Sequence, residues 1–216
     1  MHVLVIGATG GTGNALVRDL LRRGHAVRAM VRDRGQADAL VGLGATPVEG
    51  DLEGELAGVV DGVDAVAFCA GSGSTTGPDA TLRVDLHGAV RVIDECVAAD
   101  VPRLVMLSSM RADDPLRGPE RLRHYLAAMH ARDRILIGSG LAATIVRPGR
   151  LLHDPGTGRV RTGVPRLEER GEIPREDVAA VMATCLEDDR SIGATFELLS
   201  GETPVADAVA ALGQHG

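Results

Sequence analysis

HVLVI at residues 2–6 runs directly into GATGGTG at residues 7–13, and that junction decides the fold. A short, continuous apolar run marks a strand buried on both faces. Glycines spaced G-x-x-G-x-x-G let the chain turn sharply and bring its backbone close to a pyrophosphate. Behind them Leu16, Val17, Leu20 and Leu21 recur at helical spacing, and Gly24 supplies a stop. A helix that starts there aims free N–H groups and the positive end of its dipole at an anion. Gly7, Gly10, Gly11 and Gly13, with hydroxyl donors from Thr9 and Thr12, are therefore candidate phosphate-binding residues. The plainer alternative is a turn whose glycines serve geometry alone.

Outward from this junction, strand-like runs at 25–31, 45–48, 63–69, 103–107 and 141–146 alternate with helical segments. The helices fall at 36–43, along the stripe Leu86, Val90, Ile93 and Val97, and at 120–137. A helix at 176–186, a strand at 195–199 and a helix at 205–212 complete the series. Such alternation predicts an α/β protein: a doubly wound, Rossmann-like parallel sheet with helices on both faces. We read residues 1–216 as one domain with a small C-terminal substrate lobe, and the Gly-, Pro- and Arg-rich segment 147–175 as a substrate-side loop region. Ligands of such folds sit beyond the carboxyl ends of the strands, here 7–13, 31–34, 50–52, 69–73, 108–110 and 147–149.

Composition removes several chemistries. The chain has 216 residues with 23 basic and 30 acidic side chains, a net charge of −7, and every basic residue is arginine. Without lysine there is no Schiff base, no Walker-type phosphate lysine and no lysine-assisted tyrosine. An acidic chain whose aromatics are Phe68, Phe196 and Tyr125 is unsuited to nucleic acid. Cys69, Cys96 and Cys185 have no metal-ligand spacing, so no metal is expected and the thiols read as buried ones in a reducing compartment. The chain starts without a charged flank and cleavage site, and no apolar stretch approaches about 18 residues. The expectation is a soluble, cytoplasmic protein with no membrane partner.

Several stretches together resemble the atypical short-chain dehydrogenase/reductase superfamily. They are GATGGTG at 7–13, VRAMVRD at 27–33, GDL at 50–52, VDLHGAVRVIDEC at 84–96, SGLAATIVRPG at 139–149 and IPREDVAAVMATCL at 173–186. The resemblance is to the small NAD(P)H-binding branch that includes proteins similar to flavin reductase/biliverdin reductase B and sugar-epimerase-like proteins. It implies that Arg32, after the last valine of the second strand, pairs with the 2′-phosphate of NADP(H). Guanidinium suits that phosphate because it binds bidentately. Asp33 is the counter-argument, since an acid one residue later favours NAD(H). NADP(H) is thus preferred over NAD(H). The resemblance also places Asp51 and Leu52 around the adenine, although Asp51 equally suits a local cap. Cys69, Ala70 and Gly71 end the fourth strand, where the backbone passes the ribose, and Pro148 falls where related proteins support the nicotinamide.

The candidate catalytic residues are Ser109, Ser108 and Tyr125. In many members of the superfamily a serine after the fifth strand works with Tyr-x-x-x-Lys, the lysine lowering the phenol's pKa. Here Met129 occupies the lysine position, so the activation of Tyr125 is missing. Tyr125 can still donate a hydrogen bond, but it reads first as an amphipathic tyrosine on a helix, and Ser109 is expected to matter more. Flavin-reductase-like members lack that pair, and proximity carries the hydride to an acceptor with its own electrophilicity. Ser109 aligns with their assisting serine. We therefore expect an NADP(H)-dependent oxidoreductase that reduces a planar electron acceptor, such as a flavin, quinone or related carbonyl compound. The alternative is an NADP(H)-binding sensor or structural protein without catalysis, and a third reading is an epimerase- or dehydratase-like enzyme. The partner is a small molecule, and the chain is a monomer or small homo-oligomer.

Overall fold

The computed structural model describes residues 1–73 and 75–214; Ser74, within the Gly/Ser/Thr stretch that follows the fourth strand, lies outside them. In chain order the elements are β1 (His2–Ile6), α1 (Gly11–Arg22), β2 (Ala26–Val31), α2 (Ala37–Leu43), β3 (Thr46–Glu49) and β4 (Ala65–Phe68). A continuous helical run follows: α3 (Pro78–Ala80), a π-helical segment (Thr81–Gly88) and α4 (Ala89–Ala98). Then come β5 (Arg103–Leu107), α5 (Arg123–Gly138), β6 (Ala142–Pro148), β7 (Arg150–Leu152), β8 (Arg159–Gly163) and β9 (Glu172–Pro174). The chain continues with α6 (Arg175–Glu187), β10 (Thr195–Ser200), β11 (Thr203–Pro204) and α7 (Val205–Ala210).

Among the described residues the main sheet has nine strands in the order β11-β8-β10-β6-β5-β4-β1-β2-β3. From β3 to β10 every pairing is parallel, with the order 3-2-1-4-5-6 of dinucleotide-binding folds. Two departures from the expected sheet are clear. β8 pairs antiparallel with both β10 and β11, and β7 pairs with β9 in a separate two-stranded sheet. Residues 147–175 are thus strand-bearing rather than simple loop, and β8 extends the main sheet. The sequence hides this because these strands are three to five residues long and carry Arg, Gly and Pro in place of alternating apolar residues.

The pleat divides the core in two. Val3 and Val5 pack on one face with Leu16 and Leu20 of α1 and Val178 and Met182 of α6. Leu4 and Ile6 pack on the other face with Ile93 and Cys96 of α4 and Leu136 of α5. Successive side chains of a strand point to opposite faces, so one five-residue strand serves both layers. Burying each Leu or Val contributes about 1.5–3 kcal/mol. The expected helix at 120–137 starts later, at Arg123, after a 3-10 turn at Glu120–Leu122.

Candidate cofactor cleft and acceptor pocket

The turn from β1 to α1 is held by close backbone approach. Gly7 has φ +85°, and a Cβ there would lie 2.6 Å from the Ala70 nitrogen at the end of β4. A Cβ at Gly13 would lie 2.1 Å from the Gly7 carbonyl oxygen. The two glycines therefore let α1 start directly against two strand ends. That start has no side-chain cap and no acidic residue in its first turn. Asn14 N–H is the first to reach back, donating to the Gly10 carbonyl at 2.8 Å. The preceding helical N–H groups are left for an anion. Arg175, at the start of α6, lies across this turn; a Cβ on Gly11 would meet its Cδ at 2.7 Å.

A cavity of about 340 Å³ opens from the turn toward β2 and β3. Of the residues assigned to the cofactor from sequence, it is lined by Gly7, Thr9, Gly10, Arg32, Asp51, Leu52, Cys69, Ala70 and Gly71. Gly11, Thr12, Gly13 and Pro148 do not line it. Pro148 is buried in β6, its carbonyl accepting from Met110 N–H at 2.9 Å. Arg32 is exposed and lines the cavity, whereas Asp33 does not. Asp51 combines both readings: its carboxylate accepts the Glu53 N–H at 3.0 Å in a local turn, and the residue faces the cavity. Met30, Gln36, Glu53, Thr76 and Val84 also line the cleft and were missed. Met30 was the readable one, since a strand's penultimate residue stands beside the ligand edge; the others depend on how later segments fold back.

A second cavity, of about 490 Å³, shares Cys69 to Ser72 and Thr76 with the first, so the two form one cleft. Its inner wall holds Ser108, Tyr125, Met129, Arg132 and Asp85, with Arg121 and His124 at the mouth. The π-helical segment delivers Thr81 and Asp85 to this wall, and wide-turned insertions of that kind gather at functional sites. Ser108 is 5% exposed and donates to Asp133 Oδ2 at 2.8 Å. The same oxygen accepts from Arg147 Nε at 2.9 Å, so the serine rotor is fixed by a buried ion pair. Ser109 does not line the cavity; its hydroxyl donates to the Met110 carbonyl at 3.4 Å, and its proximity pulls the Tyr125 phenol's pKa down. Tyr125, Ser108 and Ser109 are thus brought to one place, with Ser109 behind the tyrosine.

Burial pushes the Tyr125 phenol upward from its usual range, so it is protonated at neutral pH and is a donor. Burial also drives the Cys69 thiol up to about 12, and its sulfur contacts Met182 Sδ at 3.8 Å. A neutral thiol in that setting is a wall, not a nucleophile. Among the described residues no group of three or more His, Cys, Asp or Glu side chains could hold a metal ion. Nor is any helix among them long and apolar enough to cross a membrane.

Backbone donors and a glycine cradle stand at the cleft's centre, with the Arg32 cation at one end and the Ser108 and Tyr125 hydroxyls at the other. Comparison with known proteins agrees. Residues 7–189 match a family model described as NAD(P)H-binding. An uncharacterized sugar epimerase of Bacillus subtilis, YhfK, is 41% identical over 214 residues, covering 97% of this chain and 99% of its own. A solved structure from Bacillus halodurans, described as a candidate NAD-dependent epimerase/dehydratase, has TM-score 0.94 at 41% identity, covering 97% of this chain and 98% of that one. The oxidoreductase ylbE of Lactococcus lactis has TM-score 0.90 at 27% identity, covering 100% of this chain and 98% of its own. A family match through most of the chain, joined to relatives that align end to end, makes this protein a member of the NAD(P)H-binding family.

Proposed function

We propose that the protein is a cytoplasmic, NADP(H)-dependent reductase of a small planar acceptor such as a flavin, quinone or related carbonyl compound. One observation carries this reading: a cavity lined by Ser108 and Tyr125 shares Cys69 to Ser72 and Thr76 with the glycine-turn cavity. When bound, the nicotinamide supplies the hydride that the acceptor takes up. The chain's own residues position and protonate. The N–H groups at the start of α1 hold the pyrophosphate, and Arg32, exposed on the cleft wall, takes the 2′-phosphate. Cys69 to Gly71 form the floor shared by both halves, and Leu107, Leu122, Met129 and Leu151 give the acceptor an apolar bed. Ser108, locked by Asp133, orients the acceptor; Tyr125, backed by Ser109, donates the proton. The name of the Lactococcus lactis relative, an oxidoreductase, supports the same reading.

The test is NADPH consumption by the purified protein against a panel of flavins, quinones and aldehydes. Turnover with at least one acceptor, faster with NADPH than with NADH, is the expected result. Cofactor binding without turnover on any of them would leave a sensor or structural role in its place. A second reading, epimerisation, is favoured by the name of the 41% identical Bacillus subtilis relative. It predicts substrate interconversion with no net loss of NADPH, so the same assay separates the two.

A further inference from the structure

Arg132 is the most deeply enclosed cation of the acceptor pocket. It is 1% exposed, in the middle of α5. Its guanidinium donates to two main-chain carbonyls, Leu107 at 2.8 Å and Asp85 at 3.2 Å, and lies 5.6 Å from the centre of the Phe68 ring. Among the described residues no carboxylate hydrogen-bonds to it. The neighbouring Asp133 turns Oδ1 to within 4.0 Å of Arg132 Nε in a long ion pair, while its Oδ2 holds Arg147 and Ser108. Arg132 Nε itself has no hydrogen-bond partner among the described residues. Two buried arginines, Arg132 and Arg147, thus share the Asp133 carboxylate; surplus buried charge is expensive to keep, and its retention calls for a compensating use.

Helix geometry supplies one. Residues 125, 129 and 132 fall at i, i+4 and i+7, on one face of α5, and all three line the acceptor cavity. The Arg132 guanidinium sits at the Leu107 and Asp85 carbonyls, and both of those residues line the same cavity as Tyr125. The site that a lysine four residues after the tyrosine would fill holds Met129, 1% exposed and neutral. We infer that Arg132 is a positioning residue that replaces that lysine: from one helical turn further on, its guanidinium stabilises the Tyr125 phenolate left after proton donation. The inference rests on the reductase reading above. In the step it serves, the acceptor gains a hydride from the reduced nicotinamide, and the Tyr125 O–H bond breaks as its proton passes to the acceptor's oxygen. The electron pair stays on the phenol oxygen, facing Arg132 and the Ser109 hydroxyl, until solvent at the pocket mouth returns a proton.

The charged groups around the phenol are Arg132 and Asp133 on its own helix, Asp85 on the π-helical segment, and Arg121 and His124 at the mouth. Burial and the two aspartates push its pKa up, while Arg132 is the largest influence in the opposite direction. Tyr125 is the chain's single tyrosine and there is no tryptophan, so tyrosinate absorbance reports on this residue alone. No lysine titrates beneath it.

The experiment is an alkaline absorbance titration of the cofactor-free protein, with circular dichroism to establish that each variant is folded. Arg132→Gln keeps a donor for the Leu107 and Asp85 carbonyls but drops the charge. It is expected to raise the Tyr125 midpoint by about one unit. Arg132→Lys should hold the midpoint near the parent's, and Met129→Lys added to Arg132→Gln should bring it back down. A folded Arg132→Gln protein that titrates where the parent does overturns the inference. If that variant fails to fold, the Met129→Lys/Arg132→Gln protein decides. A folded double variant with the parent's midpoint supports the inference, and one that is still unfolded assigns Arg132 to packing and overturns it. None of these titrations needs an acceptor or cofactor. A failed acceptor panel therefore leaves them standing, and NADPH turnover with an unmoved phenol would sink this inference alone.

Discussion

Arg32 and Arg132 show how differently two arginines of one site reveal themselves. Arg32 stands at a strand's carboxyl end, a position whose function is set by the fold, and the structure puts Arg32, but not Asp33, on the cleft wall. If it holds the 2′-phosphate, Arg32→Ala should cost about 1.5–3 kcal/mol of NADPH affinity, roughly one to two decades, and leave NADH almost untouched. Fluorescence titrations with both nucleotides check this; equal affinity of the parent for NADH and NADPH would remove the assignment. Arg132 gave no such signal. An arginine in a helix whose neighbours are His130, Asp133 and Arg134 reads as a solvated face, and only the meeting of α5 with β5 and the π-helical segment buries it. The same holds for Ser108, whose fixing by Asp133 and Arg147 depends on how β5, α5 and β6 pack together.

At the scale of elements, the legible parts were those whose side chains repeat the environment they occupy. β1, β4 and β5 are apolar because both faces are covered, and α1 and α4 carry stripes because one face is covered. β7, β8 and β9 escaped because they are three to five residues long, too short for at most two buried side chains each to make a readable period. The β1–α1 turn was legible for a stronger reason: its glycines leave no room for anything else. Gly13→Ala sets a methyl 2.1 Å from the Gly7 carbonyl oxygen, a backbone atom that cannot step aside. Overpacking of this kind costs about 1–3 kcal/mol, and the displaced α1 should also lose its grip on NADPH. Gly42→Ala is the contrast. It lies in α2 with open space around its α-carbon and should stabilise the protein by up to about 1 kcal/mol with cofactor binding unchanged. Denaturation midpoints and NADPH titrations of the two variants test the pair; a Gly13→Ala protein as stable and as tight-binding as its parent contradicts the geometry.

For the whole molecule the absence of lysine has a consequence in stability. Most proteins lose ammonium charges in the alkaline range, but here all 23 basic side chains are arginine and remain charged there. The groups left to titrate are chiefly the thiols and Tyr125. Cys96 and Cys185 are fully buried, and burial drives each thiol from 9.0 up to about 12. Between those limits the unfolded chain has lost the proton and the folded chain keeps it, so the unfolded state is favoured as pH rises. Stability is therefore complete below about pH 9 and declines above it, by about 1.4 kcal/mol per pH unit for each thiol. Cys185 is the cleaner probe, because it sits beside the Arg103–Thr144–Ser191 cluster rather than in the cleft. Cys185→Ala should lower stability at neutral pH by leaving a small void, yet flatten the alkaline decline by its own share of the slope. Urea midpoints measured in steps from neutral to strongly alkaline pH separate the offset from the slope. A variant whose midpoints fall parallel to the parent's throughout would show that Cys185 ionises no differently in the folded and unfolded chain.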